Sequence, residues 1–156
     1  MINNIIINRI WAIPNSETFK VPPIRQFVLK YLKDSNISID PFARNEKLAT
    51  YTNDLNPNTD AQHHLDCIDF LNLMIEQKIR ADLVIFDPPY SAAQIKECYN
   101  GFGLKMMQSD VWRTAAWTKE KDLCDRIMIQ NGIFLYFGWN TTGMGKKRNY
   151  KIEEIL

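Results

Sequence analysis

The chain has almost no excess charge: 19 Lys and Arg stand against 18 Asp and Glu in 156 residues, a formal net charge of +1. No global basic field draws in nucleic acid, so any such binding has to come from a local patch. Cysteine is sparse. Cys67, Cys98 and Cys124 are an odd, scattered set without C-x-x-C spacing, which fits a reducing cytosol better than a disulfide scaffold. Long apolar runs are also missing. Ile5-Ile6-Ile7 is closed by Asn8 and Arg9 and is too short to span a bilayer, so neither a membrane segment nor a signal peptide is expected. No repeat, low-complexity tract or Gly/Ser linker divides the chain. These absences leave one cytoplasmic domain over residues 1–156, long enough to bury a real core.

What is present alternates between two periods. After Val21-Pro22-Pro23, the residues Ile24, Phe27, Val28, Tyr31 and Leu32 recur at helical spacing, which predicts a helix over Pro23 to Lys33. Ile37-Ser38-Ile39 reads as a short strand, and Ala49 to Asn53 as a second. From Asp60 to Lys78 the positions Leu65, Ile68, Phe70, Leu71 and Met74 predict a helix, with Asp66-Cys67 a break near its start. Leu83 to Phe86 is too apolar and β-branched for an exposed strand and reads as the centre of a parallel sheet. Leu123 to Gln130 is expected to be a helix stopped by Asn131-Gly132, followed by a buried strand over Ile133 to Phe137. Strands alternating with helices predict an α/β fold with a mainly parallel sheet flanked by helices.

The most informative feature is Asp87-Pro88-Pro89-Tyr90, set at the end of Leu83-Val84-Ile85-Phe86. Proline fixes its own φ and restricts the residue before it. An acid, two stiff carbonyls and an aromatic ring are therefore held in set directions, the preorganisation that a reaction on a weakly nucleophilic amine needs. Three more acids precede it in order. Asp40, in Asp40-Pro41-Phe42, ends the first strand, Asp54 the second, and Asp66-Cys67 leads to Asp69-Phe70-Leu71. Ligands of open α/β sheets bind beyond the carboxyl ends of the strands, so these acids suit a cationic ligand with a ribose and an adenine. Each acid alone also has a purely structural reading, because Asp is a favoured N-cap and turn former.

Taken together, these motifs resemble those of S-adenosylmethionine-dependent DNA amino-methyltransferases, and most closely the small, phage-type adenine-specific enzymes without a separate target-recognition domain. The likeness covers nearly the whole chain. Thr18-Phe19 to Leu32 resembles the N-terminal cofactor segment and Asp40-Pro41-Phe42 the methionine-binding motif. Asp54 matches the ribose-binding acid, and Asp66 with the Cys67 backbone the contact to the cofactor's adenine. Asp87, Pro88, Pro89 and Tyr90 match the catalytic motif, and Gln130-Asn131-Gly132 with Phe134 to Trp139 the turn and fifth strand. The resemblance implies a class I (Rossmann-like) methyltransferase fold with S-adenosyl-L-methionine as cofactor and DNA as partner, in the cytoplasm of a bacterial or phage-infected cell. The Asp87 carboxylate and Pro88 carbonyl would accept hydrogen bonds from the target amino group, and Tyr90 would stack on a base flipped out or already single-stranded.

Cytosine C5 methylation is excluded, because it needs a thiolate normally presented as Pro-Cys and no cysteine here follows a proline. N4 of cytosine offers the same amino geometry as N6 of adenine and is the first alternative; an RNA or guanine-N2 methyltransferase with a similar catalytic turn is the next. A non-catalytic nucleic-acid-binding remnant of the fold is the rival from another class. His63 and His64 diverge on a helix and no second cluster completes a tetrahedral set, so no metal is expected. Ser91 to Lys121, rich in aromatic and basic residues, is expected to be a functional loop that starts with a possible helix over Ala92 to Tyr99. Gly143 to Arg148 reads as a flexible basic stretch near backbone phosphate or as a solvated charge run. Ala43-Arg44-Asn45 stands where the family has a Gly-rich loop, and Pro41 to Leu48 leaves no room for a crossover helix. Arg148 to Leu156 looks like the start of a further strand, so a C-terminally truncated fold with an unpaired sheet edge is expected.

Overall fold

The computed structural model of the chain describes residues 4–89 and 117–156. Tyr90, the segment 91–116 and the helix expected within it lie outside the described residues. Four parallel strands form the main sheet: β2 (Ser38–Asp40), β3 (Tyr51–Thr52), β4 (Ala81–Phe86) and β5 (Met128–Tyr136), in the order β3-β2-β4-β5. Helix α1 (Pro22–Leu32) packs on one face; α2 (Cys67–Glu76) and α3 (Thr118–Ile127) pack on the other. The expected mainly parallel α/β sheet flanked by helices is what the chain forms.

Strand β4 shows why its sequence does not alternate. Leu83 and Ile85 join Val28, Phe19 and Leu135 beneath α1, whereas Val84 and Phe86 join Phe70, Leu71, Met74 and Cys124 beneath α2 and α3. Both faces are covered, so all four side chains are 1 % exposed or less. At about 25 cal/mol per Å² of apolar surface, each such side chain contributes roughly 1.5–3 kcal/mol relative to exposure. Helix α1 opens on Pro22-Pro23 at its first positions, where missing N–H groups cost nothing. The boundary at Pro22 rather than Pro23 and the end at Leu32 are one-residue shifts from the expectation.

Three expectations change. Helix α2 starts at Cys67, not Asp60, because the Asp66 side chain accepts the Ile68 N–H (2.9 Å) and caps it. Ahead of it His63 is bridged to Asn53, the chain there being extended rather than helical. Helix α3 runs from Thr118 to Ile127, not from Leu123 to Gln130. Met128 already pairs with Ala81, while Ile133 pairs with Leu83, so the residues between them loop out of the ladder around Asn131, at φ 64°. The strands β2 and β3 are joined without a helix, through turns over residues 41–50, as the short interval requires.

The chain end does form a strand, but outside the main sheet. β6 (Glu154–Ile155) pairs in parallel with β1 (Ile6–Ile7). Glu154 ties this ribbon to α1, accepting hydrogen bonds from Lys30 Nζ and Tyr31 Oη. Among the described residues β5 has no strand on its outer side. No described helix is long and apolar enough to cross a membrane.

Candidate functional site

The chain passes from β2 outward to β3, then returns across β2 to β4 on its other side. That reversal opens a crevice beyond the carboxyl ends of β2 and β4, the usual ligand position in an open α/β sheet. Asp40 is the last residue of β2, and Asp87 the first after β4. One cleft there is lined by Thr18, Phe19, Phe42, Arg44, Glu46 and Asp87, among others. Thus Thr18 and Phe19 of the N-terminal segment, Phe42 after β2 and Asp87 after β4 share one space, whereas Asp40, Pro41 and Asp54 are not part of its lining.

The acids differ in how they are held. Asp40 is 1 % exposed. Its Oδ1 accepts the Phe42 N–H (3.0 Å), forming a local turn, while its buried Oδ2 has no hydrogen-bond partner among the described residues. Burial, only partly offset by the Phe42 N–H, pushes the Asp40 carboxyl well above the usual range, and the nearby charges of Asp87, Asp54 and Glu46 push it further. Asp54 sits beside the same turn: Oδ2 accepts the Arg44 N–H (3.1 Å) and Oδ1 the Asn56 N–H (2.8 Å). Its contact supports Arg44 at φ 52°, a conformation costly for a side-chain-bearing residue.

Asp66 and Cys67 fall elsewhere. Asp66 caps α2, and Cys67 is buried in the core at 6 % exposure; neither lines the cleft. The structural reading of Asp as an N-cap is the role Asp66 fills here. His63 lies against Phe70 with ring centroids 5.4 Å apart, and no three metal-ligating side chains cluster among the described residues.

Asn53 was not singled out by its spacing, yet it holds the site's floor. Only 1 % exposed, it donates from Nδ2 to the Pro41 and Leu65 carbonyls (3.1 and 3.0 Å) and accepts the Leu65 N–H at Oδ1 (3.0 Å). Its backbone N–H donates to the Asp40 carbonyl (2.9 Å), and its carbonyl accepts from Ala43 (2.8 Å). One amide therefore fixes the exits of β2 and β3 and the approach to α2. In sequence it is the last residue of the strand expected over Ala49 to Asn53.

Aromatic rings back the Asp87 turn. Phe86 meets Phe42 edge-on at 5.2 Å, Trp117 meets Phe42 at 5.4 Å, and Phe134 and Tyr136 lie against Phe86. Phe19 is pinned edge-on to Phe137 at 5.3 Å. The strap that carries Thr18 and Phe19 is also clasped by Arg44, whose Nη1 donates to the Ser16 carbonyl (2.9 Å). With the strap in place the cleft holds only about 20 Å³. The cleft thus presents the acidic groups of Glu46 and Asp87 together with apolar rings. Compared with family models, curated proteins and solved structures, the chain matches none.

Proposed function

We propose that the protein is a class I amino-methyltransferase that transfers a methyl group from S-adenosyl-L-methionine to N6 of adenine in DNA. The observation that carries this reading is the shared cleft: Thr18, Phe19, Phe42 and Asp87, distant in sequence, line one crevice at the sheet's reversal point. The donor set fits the cofactor's chemistry. A buried carboxyl oxygen on Asp40 without a partner among the described residues, with Asp54 and Glu46 acting on it, suits an ammonium or sulfonium group. Phe42 and Phe19 offer apolar walls. Cofactor-sized ligands fill roughly 300 Å³ or more, so the cleft has to widen when the cofactor binds. When bound, S-adenosylmethionine supplies an electrophilic methyl group.

The residues do the rest by position. The exocyclic nitrogen of adenine is a poor nucleophile because its lone pair is delocalised into the ring. The Asp87 carboxylate and the Pro88 carbonyl accept its two N–H bonds, which favours a pyramidal nitrogen with its lone pair directed at the methyl group. The Pro88-Pro89 pair holds that carbonyl still. Tyr90, next in the chain, supplies the ring on which the extruded base stacks.

Mass spectrometry of nucleosides from DNA incubated with the protein and cofactor tests the reading: N6-methyl-2′-deoxyadenosine is expected, and N4-methyl-2′-deoxycytidine would reassign the base. Asp87→Ala is expected to abolish transfer while leaving cofactor affinity, measured by calorimetry, within about threefold. A folded chain that binds no S-adenosylmethionine would leave only the nucleic-acid-binding remnant.

A further inference from the structure

The ribbon of β1 and β6 is fastened to the molecule yet turns an open edge to water. Asn8 Nδ2 donates to Glu154 (2.9 Å), and Glu154 also accepts from Lys30 and Tyr31 of α1. The chain running through β1 carries Ile5, Ile6, Ile7, Ile10, Trp11 and Ile13, exposed from 42 % at Ile5 to 88 % at Ile13. Arg9 stands over the Trp11 ring, 5.1 Å from its centre. A standard interface takes about 800 Å² from each partner, and six such side chains expose an area of that order. Apolar surface on this scale marks an association site.

The backbone shows what fits there. Ile6 N–H donates to the Glu153 carbonyl (3.0 Å) and Asn8 N–H to the Ile155 carbonyl (2.8 Å). Peptide groups alternate sides along a strand, so Ile7, between them, directs both its N–H and its carbonyl away from β6. No described strand meets that side. A two-fold axis through Ile7 lets the edge pair with its own copy in antiparallel. Each Ile7 N–H then donates to the other Ile7 carbonyl, and Ile5 comes opposite Arg9. The two ribbons become one four-stranded sheet, β6-β1-β1-β6, whereas a two-stranded ribbon alone is marginal.

Charge favours this edge over the other. Glu154 is the outward-facing residue of β6, and the same operation there would set Glu154 against Glu154. Across β1 the charges are opposite. Glu153 lies one position before the Ile6–Glu154 pair, in line with Ile5. Arg9 of the other copy therefore falls two strands from Glu153, about 10 Å at ~4.8 Å per strand, within reach of two long side chains. Both residues are exposed, and neither is in an ion pair among the described residues. The net charge of +1 sets up no long-range repulsion between copies.

We propose that the protein associates as a two-fold homodimer through β1, with Ile7 on the axis. The occupant of the edge is a second copy, because the edge is complementary to itself in hydrogen bonds, apolar surface and charge. Nothing in this inference depends on what the cleft binds.

Sedimentation velocity of the full chain over roughly a hundredfold range of concentration tests it, because a two-copy species grows by mass action. A dimer is expected. Ile7→Lys sets two like charges opposite each other at the axis and is expected to weaken association roughly tenfold or more. A chain that sediments as a monomer throughout overturns the proposal. So does an Ile7→Lys variant that is folded by circular dichroism and associates as strongly as the unsubstituted chain. The register has its own test, which stands even where Ile7→Lys does not fold. Residues paired on the axis have Cα atoms about 5.5 Å apart, inside disulfide range. Ile7→Cys is therefore expected to cross-link two copies under mild oxidation. Ile6→Cys faces Asn8 of the other copy rather than itself, and should stay at the level of the unsubstituted chain, whose own cysteines supply the blank. Equal cross-linking at both positions, or none at Ile7→Cys, overturns the pairing.

Discussion

Two aspartates on neighbouring strands, Asp40 at the carboxyl end of β2 and Asp82 near the amino end of β4, are treated in opposite ways. Burial pushes the Asp82 carboxyl up, but four hydrogen bonds from Ser35, Asn36 and Ile37 overcome it and leave the group below its usual range. Among the described residues Asp40 accepts one hydrogen bond and keeps a buried oxygen without a partner, and it is pushed the other way. The amino end of the sheet satisfies its acid. The carboxyl end leaves its acid wanting among the described residues, at a cost in stability. On the proposed function a bound cationic ligand offsets that cost, which assigns binding to the carboxyl end and stability to the amino end.

The sharpest way to break the comparison is to exchange the roles by mutation. Asp40→Asn keeps the acceptor for the Phe42 N–H and removes the ionisable carboxyl. It is expected to weaken S-adenosylmethionine binding roughly 30-fold, about 2 kcal/mol, as loss of one partner in a desolvated charge contact does. Its thermal stability near pH 7.5 should be equal or higher. Asp82→Ala is expected to do the reverse. Loss of hydrogen bonds to a charged acceptor costs about 2 kcal/mol, a fall in Tm of roughly 4–8 °C for a chain this size, with cofactor affinity unchanged when calorimetry is run well below the new Tm. If Asp40→Asn unfolds the chain and Asp82→Ala weakens the cofactor, the two ends have been assigned the wrong way round.

The pH dependence sharpens the same contrast. A carboxyl whose folded pKa lies above its unfolded value contributes stability that is fully present below the unfolded value and is lost as pH rises through the folded one. Asp40 should therefore make the chain lose stability as pH climbs from about 4 upward. Asp82, with its folded pKa depressed, contributes stability present above about 4 and lost as pH falls through the folded value. Chemical denaturation from pH 3 to 8 should show Asp40→Asn flattening the high-pH limb and Asp82→Asn flattening the low-pH limb. An unaltered high-pH limb in Asp40→Asn would mean that the buried carboxyl is not the group responsible.

The parallel sheet was legible because β4 is apolar without alternation, and such a run needs both faces covered. The order of Asp40, Asp54 and Asp87 was legible because strand ends precede turn residues. Which acid is satisfied was not. Asp82 and Asp40 are the same residue type beside the same kind of strand, and their hydrogen-bond partners lie up to 47 residues away in the case of Ser35. Asp66 shows the other limit: an Asp at a strand-to-helix passage serves equally as a cap or a ligand, and the structure shows the cap, with Oδ1 accepting the Ile68 N–H. The start of α2 was misplaced because Leu65 keeps the helical period while the Asn53–His63 bridge holds the backbone extended. Asn53 escaped notice because its three side-chain bonds all reach residues twelve positions off.

The smallest expected effect probes whether the amino end is tuned for stability at all. Helix α2 ends in a Schellman turn, with Ile79 N–H donating to the Met74 carbonyl and Lys78 N–H to the Ile75 carbonyl, both at 2.9 Å. Lys78 occupies the left-handed position of this turn at φ 56°, which glycine usually fills because a Cβ there is strained. The segment leads into Ala81 and the amino end of β4, far along the chain from Asp87. Lys78→Gly relieves the strain but loosens the unfolded chain, so a net gain of about 0.5–1 kcal/mol is expected, a rise in Tm of roughly 1–4 °C. Cofactor and oligonucleotide affinities should not move. A loss of stability would show that the Lys78 side chain holds a contact worth more than the strain, and a changed cofactor affinity would show that the two ends of the sheet are coupled through β4.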